Sequence, residues 1–104
     1  VINIAGALMD TTFLQAGSCP LISVHGDADE IVPYRAGMAQ VPNIVEPTAM
    51  QGSALIHQRA QHVGVFSELK TIRDGGHSAA LDCQACENFV YSVLYDWIRT
   101  DSTP

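Results

Sequence analysis

The run Leu21-Ile22-Ser23-Val24-His25, bounded by Pro20 and Gly26, constrains the fold more than any other part of this sequence. It is short, carries β-branched residues and is apolar on both faces. Such a strand belongs where layers cover both sides of its sheet, as helices do in a parallel α/β arrangement. Val1-Ile2-Asn3-Ile4-Ala5 has the same character. Leu69 to Arg73 alternates more and reads as a third strand. Between the second and third lies a helical stretch from about Gln51 to Val63. Ile56, Ala60 and Val63 fall there at i, i+4 and i+7 on one face, and Gly64 supplies a stop. Strand, helix, strand in this order is a βαβ unit.

The last helix is the clearest periodic element. Phe89, Val90, Val93, Leu94, Trp97 and Ile98 recur at helical spacing and read as core. Arg35 to Pro47 reads as irregular, because Pro42 and Pro47 break any helix begun by Ala36 to Gln40. The expected fold class is α/β: three parallel strands with flanking helices in a three-layer α/β/α arrangement, one domain or part of one. There is no initiator Met, and Val1 to Gly6 reads as a strand already under way. The chain is thus expected to begin inside a fold and, with its polar tail Thr100 to Pro104, to finish at that fold's end. The first strand is expected to present an unpaired, apolar edge, since these strands form one end of a larger sheet.

Composition narrows the function classes. Of 104 residues, 47% are apolar and 15% charged, which is globular rather than disordered. A formal net charge of −6, with five scattered Lys and Arg, excludes the basic footprint of a nucleic-acid binder. No apolar run reaches the roughly 18 residues of a transmembrane segment.

Two runs carry chemistry, each just past a strand's carboxyl end, where reactive groups collect in open α/β sheets. The first is His25-Gly26-Asp27-Ala28-Asp29-Glu30-Ile31-Val32-Pro33-Tyr34. The second is Asp74-Gly75-Gly76-His77-Ser78, whose glycines permit φ > 0 and bring the next side chain into a tight site. Three acids in four residues also describe a solvated loop, and a His after a Gly pair also describes a surface residue. Together the runs place an acid and a histidine at one edge of neighbouring strands, as an orienting carboxylate and a general-base imidazole require.

His25-Gly26-x-x-Asp29-x-x-Val32-Pro33 resembles the segment after the seventh strand of α/β-hydrolases, which carries the triad acid. Gly75-Gly76-His77 resembles the loop after their eighth strand, which carries the triad histidine. The acid-then-histidine order agrees with that family, and the likeness covers essentially the whole chain. The resemblance implies the C-terminal part (residues 1–104) of an esterase- or lipase-like serine carboxylic-ester hydrolase. Asp29 would fix the tautomer of His77. His77 would take the nucleophile's proton and return it to the leaving group. The implied partners are a small-molecule ester and the missing N-terminal part of the same fold, with no metal or organic cofactor. The short connection between the first two strands points to a compact esterase rather than a lidded lipase. Asp27 is expected to be solvated or to cap a loop, and His25 to make a structural hydrogen bond. Ser78 is not the nucleophile.

The departure from that family is plain. No Ser or Cys stands in G-x-S-x-G, and the resemblance implies that the oxyanion-hole donors also lie outside these residues. By itself the chain is expected to be inactive. The alternative is a non-catalytic α/β binding module or a hydrolase-like remnant. Cys83-x-x-Cys86 admits a redox pair, a disulfide supporting the His77 loop, or a zinc site with His77 and Asp82. It follows the third strand rather than a first one, and no second ligand pair accompanies it, so plain thiols are the expectation for Cys19, Cys83 and Cys86.

Overall fold

In the computed structural model, which describes residues 1–40 and 48–101, the chain has a mixed α/β fold around a three-stranded parallel sheet. Its strands are β1 (Ile2–Ile4), β3 (Leu21–Gly26) and β6 (Ser67–Ile72), in the order β1-β3-β6. Ile2 to Ile4 pair in register with Ile22 to Val24, and Leu21 to Gly26 with Ser67 to Ile72. β3 is central, and all six of its residues are buried. That is the physical reason for its two-sided apolar run.

The two helices cover opposite faces. α1 (Ser53–Val63) buries Ile56 and Ala60 against Leu21 and Val65. α2 (Gln84–Asp101) packs Cys86, Phe89 and Val90 against Ala5, Val24, Ile72 and Ala80. Val24 and Leu21 lie an odd number of residues apart on β3, so they project to opposite faces and seed these two separate clusters. Burying one such aliphatic side chain contributes roughly 1.5–3 kcal/mol. Gly64 ends α1 in the left-handed conformation (φ 79°), its N–H returning to Ala60 and Gln61 carbonyls, as its position implied.

α2 is longer than the periodic segment from Phe89 to Ile98, and its face is narrower. Ile98 is 53% exposed, so it is not core. It follows Trp97 by one residue, and that rotation of about 100° carries it off the packed face.

A second sheet was not expected. β2 (Ala7–Leu8), β4 (Ala36–Ala39) and β5 (Thr48–Gly52) pair antiparallel in the order β2-β5-β4. The stretch read as irregular therefore holds a strand in place of the helix considered for Ala36 to Gln40. The remainder of that stretch, residues 41–47, lies outside the described residues. Gln51 and Gly52 belong to β5 rather than to α1. Gly52 has no side chain with which to cap α1, and the Tyr34 carbonyl accepts the Ala54 N–H at 3.0 Å instead. Pro33 and Tyr34 backbone atoms pack so closely on Gly52 that a Cβ there would collide with them. The acid loop is thereby pinned to the start of α1.

Among the described residues, β1 is an edge of the parallel sheet, with Ile2 51% and Ile4 41% exposed. Apolar clefts lie along it, one lined by Ile4, Val24, Cys86 and Val90, another by Leu8, Leu14, Leu21 and Ile56. No helix among the described residues is long and apolar enough to cross a membrane.

Candidate active site

Asp29 and His77 meet at the carboxyl end of β3 and β6. His77 Nδ1 lies 2.8 Å from Asp29 Oδ2. The contact depends on two loops lying almost against each other, and Gly26 permits it. A Cβ on Gly26 would strike the Gly75 and Gly76 carbonyls. The Ala28 N–H donates to the Gly75 carbonyl at 3.0 Å, and the Asp74 N–H donates to Asp27 Oδ1 at 2.7 Å. Asp27 is therefore a tie across the loops, the capping alternative of the two expected for it. The glycines act differently from the expectation. The residue with positive φ here is Asp74 (58°), whereas Gly76 has φ −84°. What Gly75 supplies is absence of bulk, since a Cβ there would press on Ile72 and Ala79.

The Asp29 carboxylate is fully covered and held on both oxygens. Oδ1 accepts the N–H groups of Ile31 and Val32, each at 2.9 Å. Oδ2 faces two imidazoles, His77 at 2.8 Å and His25 at 3.2 Å. Burial presses the carboxyl's pKa upward. The His77 hydrogen bond, the Val32 and Ile31 N–H groups and the charge of His77 press it down further, so the net lies below the usual aspartate range. Asp29 is a fixed anion at neutral pH.

A carboxylate only accepts, so His77 directs Nδ1–H at Asp29, and the neutral ring keeps its lone pair on Nε2. The His77 side chain is 38% exposed, and Nε2 has no hydrogen-bond partner among the described residues. The ring is thus oriented by Asp29 with its second nitrogen on the solvent side.

His25 is the inner counterpart. Its Nε2 faces the Val32 carbonyl at 3.0 Å and Asp29 Oδ2 at 3.2 Å, so that nitrogen carries a hydrogen. Its Nδ1 lies 2.7 Å from Ser53 Oγ. Ser53 Oγ accepts from Asn3 Nδ2 at 3.0 Å and donates to the Gly6 carbonyl at 3.1 Å, while Asn3 Oδ1 accepts the Gly6 N–H. Ala5, at φ 54°, turns the chain so that Gly6 closes this set.

Ser53, His25 and Asp29 thus form a serine–histidine–aspartate series, but one sealed from solvent. Ser53 and His25 are 0% exposed, and the serine oxygen is occupied on three sides. No substrate carbonyl reaches it. The structural bond expected of His25 is therefore present, and it extends into a network through Ser53 and Asn3 that the sequence did not disclose. Ser53 is the first residue of α1 and lies in no local motif, so no signal pointed to it.

Cys83 and Cys86 form a disulfide, and Cys19 is free. The plain-thiol expectation fails for the pair, and so does the zinc reading, because both thiols are consumed. No group of three His, Cys, Asp or Glu among the described residues is placed to hold a metal ion. No family model matches the chain, and neither does any curated protein or solved structure.

Proposed function

We propose that this chain is the acid-and-histidine portion of an α/β-hydrolase, working as a serine carboxylic-ester hydrolase on a small-molecule ester. The observation that carries the reading is the Asp29–His77 pair. A buried, anchored carboxylate holds Nδ1 while Nε2 stands open at the carboxyl end of parallel strands. The exposed apolar edge at β1 supports it, as the place where further strands of a larger sheet would add.

In this reading a serine from outside these 104 residues gives its proton to His77 Nε2 as it attacks the ester carbonyl. Asp29 stabilises the resulting imidazolium. His77 then protonates the departing alkoxide and later activates the water that releases the acid. Ser53 has no part, being enclosed with His25.

The test uses the protein encoded by the whole reading frame and a fluorophosphonate, which labels activated serines. The label is expected on a serine outside residues 1–104, with labelling slowed by about 10³-fold or more in His77→Ala. Labelling of Ser53, or labelling indifferent to His77, would overturn the proposal.

A further inference from the structure

The Cys83–Cys86 bridge has features poorly suited to a structural cross-link. It encloses only Gln84 and Ala85, and the shortest closures constrain an unfolded chain least. The turn it spans opens the 18-residue helix α2, whose own hydrogen bonds bring the two positions together.

Its two sulfurs are unequal. Cys86 is 2% exposed and packed with Val24 and Ala80, whereas Cys83 is only partly buried at the rim. Cys83 is thus the more exposed of the two residues. Cys83 stands immediately before α2, and the Cys86 N–H donates to Cys83 Sγ at 3.1 Å. A thiolate left on Cys83 would keep that hydrogen bond and face the positive end of the helix, an environment that stabilises thiolates and eases reduction.

The chemistry of the surroundings selects the reductant. Asp82 precedes Cys83, and Glu87 lines the same cleft as both cysteines, alongside Leu81 and Tyr91. The Glu87 carboxylate lining the cleft disfavours an anionic reductant there, and the apolar lining suits a neutral one.

We propose that Cys83–Cys86 is a thiol–disulfide exchange site that accepts two electrons from an uncharged dithiol. One thiolate of the reductant attacks Cys83 Sγ and forms a mixed disulfide. The Cys83–Cys86 bond breaks, and its electron pair leaves on Cys86 Sγ, which takes a proton from solvent. The reductant's second thiol then attacks its own sulfur in the mixed disulfide. This frees Cys83 as a thiolate and leaves the reductant as a cyclic disulfide. The bonding pair of each new sulfur–sulfur bond comes from the attacking thiolate and that of each broken bond leaves on the departing sulfur, so the exchange balances without a further oxidant.

The experiment uses the protein encoded by the whole reading frame, with the exposed Cys19 as internal reference. Under native conditions, millimolar dithiothreitol followed by alkylation and mass spectrometry is expected to modify Cys83 and Cys86 while circular dichroism stays folded. A bridge that opens only once denaturant unfolds the chain would overturn the proposal, whether or not the variant below folds. In Cys86→Ser, uncharged hydroxyethyl disulfide is expected to react at Cys83 about tenfold or more faster than at Cys19. Equal rates at the two cysteines would count against the site. Anionic glutathione disulfide reacting at Cys83 as fast as hydroxyethyl disulfide would overturn the assignment to uncharged dithiols.

Discussion

Asp29 is the residue on which the site's electrostatics turn. Its carboxyl is held below the ordinary aspartate range in the fold, so folding favours the ionised form. The resulting stabilisation is fully present above the pKa of an unfolded aspartate, about 3.9, and is lost as pH falls through the lower folded value. The stability difference between the wild-type chain and Asp29→Asn, measured by urea unfolding from pH 7 downward, should therefore be constant near neutrality and shrink in acid. A difference that grows on acidification would contradict the sign. His25 is held by contacts to Ser53, Val32 and Asp29. His25→Phe keeps much of its volume but strands those partners, which should cost about 1–3 kcal/mol; a variant as stable as wild type in thermal melts would show the network to be inessential. Asp29 and His77 were legible in the sequence because each lies in a glycine-marked loop directly after a strand. Ser53 and Asn3 were not, since their partners lie 28 and 50 residues away along the chain and no local spacing marks such a pairing.

At the level of elements, the loops after β3 and β6 are joined by steric permission at Gly26. Gly26→Ala introduces a Cβ into the Gly75–Gly76 backbone. The backbone of two anchored loops must give way, which should cost about 1–3 kcal/mol and pull His77 from Asp29. The NMR signal of the His77 Nδ1–H proton should broaden or vanish in this variant while the strand signals persist. An unchanged proton would mean that the loops do not depend on this approach. The parallel strands were readable because sandwiching between helices demands apolar residues on both faces, and β3 meets that demand along its whole length. The antiparallel sheet left no such imprint. β2 has two residues, while Ala36-Gly37-Met38-Ala39 in β4 and Thr48-Ala49-Met50 in β5 are largely exposed and mostly not β-branched. Backbone pairing sustains these strands, and pairing partners distant in sequence leave no local period. The disulfide was unreadable for a different reason, since one spacing admits thiols, a bridge or a metal equally.

For the whole molecule, the arrangement separates the parts by depth. α1 and α2 cover the two faces of the parallel sheet, the His25–Ser53–Asn3 network lies at its interior end, and of the two histidines that face Asp29 only His77 reaches solvent. Asp29 and His77 are brought together, and the proposed activity requires a serine in addition. The most direct measurement is ester hydrolysis by the protein from the whole reading frame, comparing kcat/KM on a short-chain p-nitrophenyl ester for wild type, His77→Ala and Asp29→Asn. Losses approaching about 10⁴-fold in each, with unfolding midpoints showing that both variants remain folded, are the expected result. Near-unchanged turnover in either variant would contradict the assignment of Asp29 and His77 as the orienting acid and the general base.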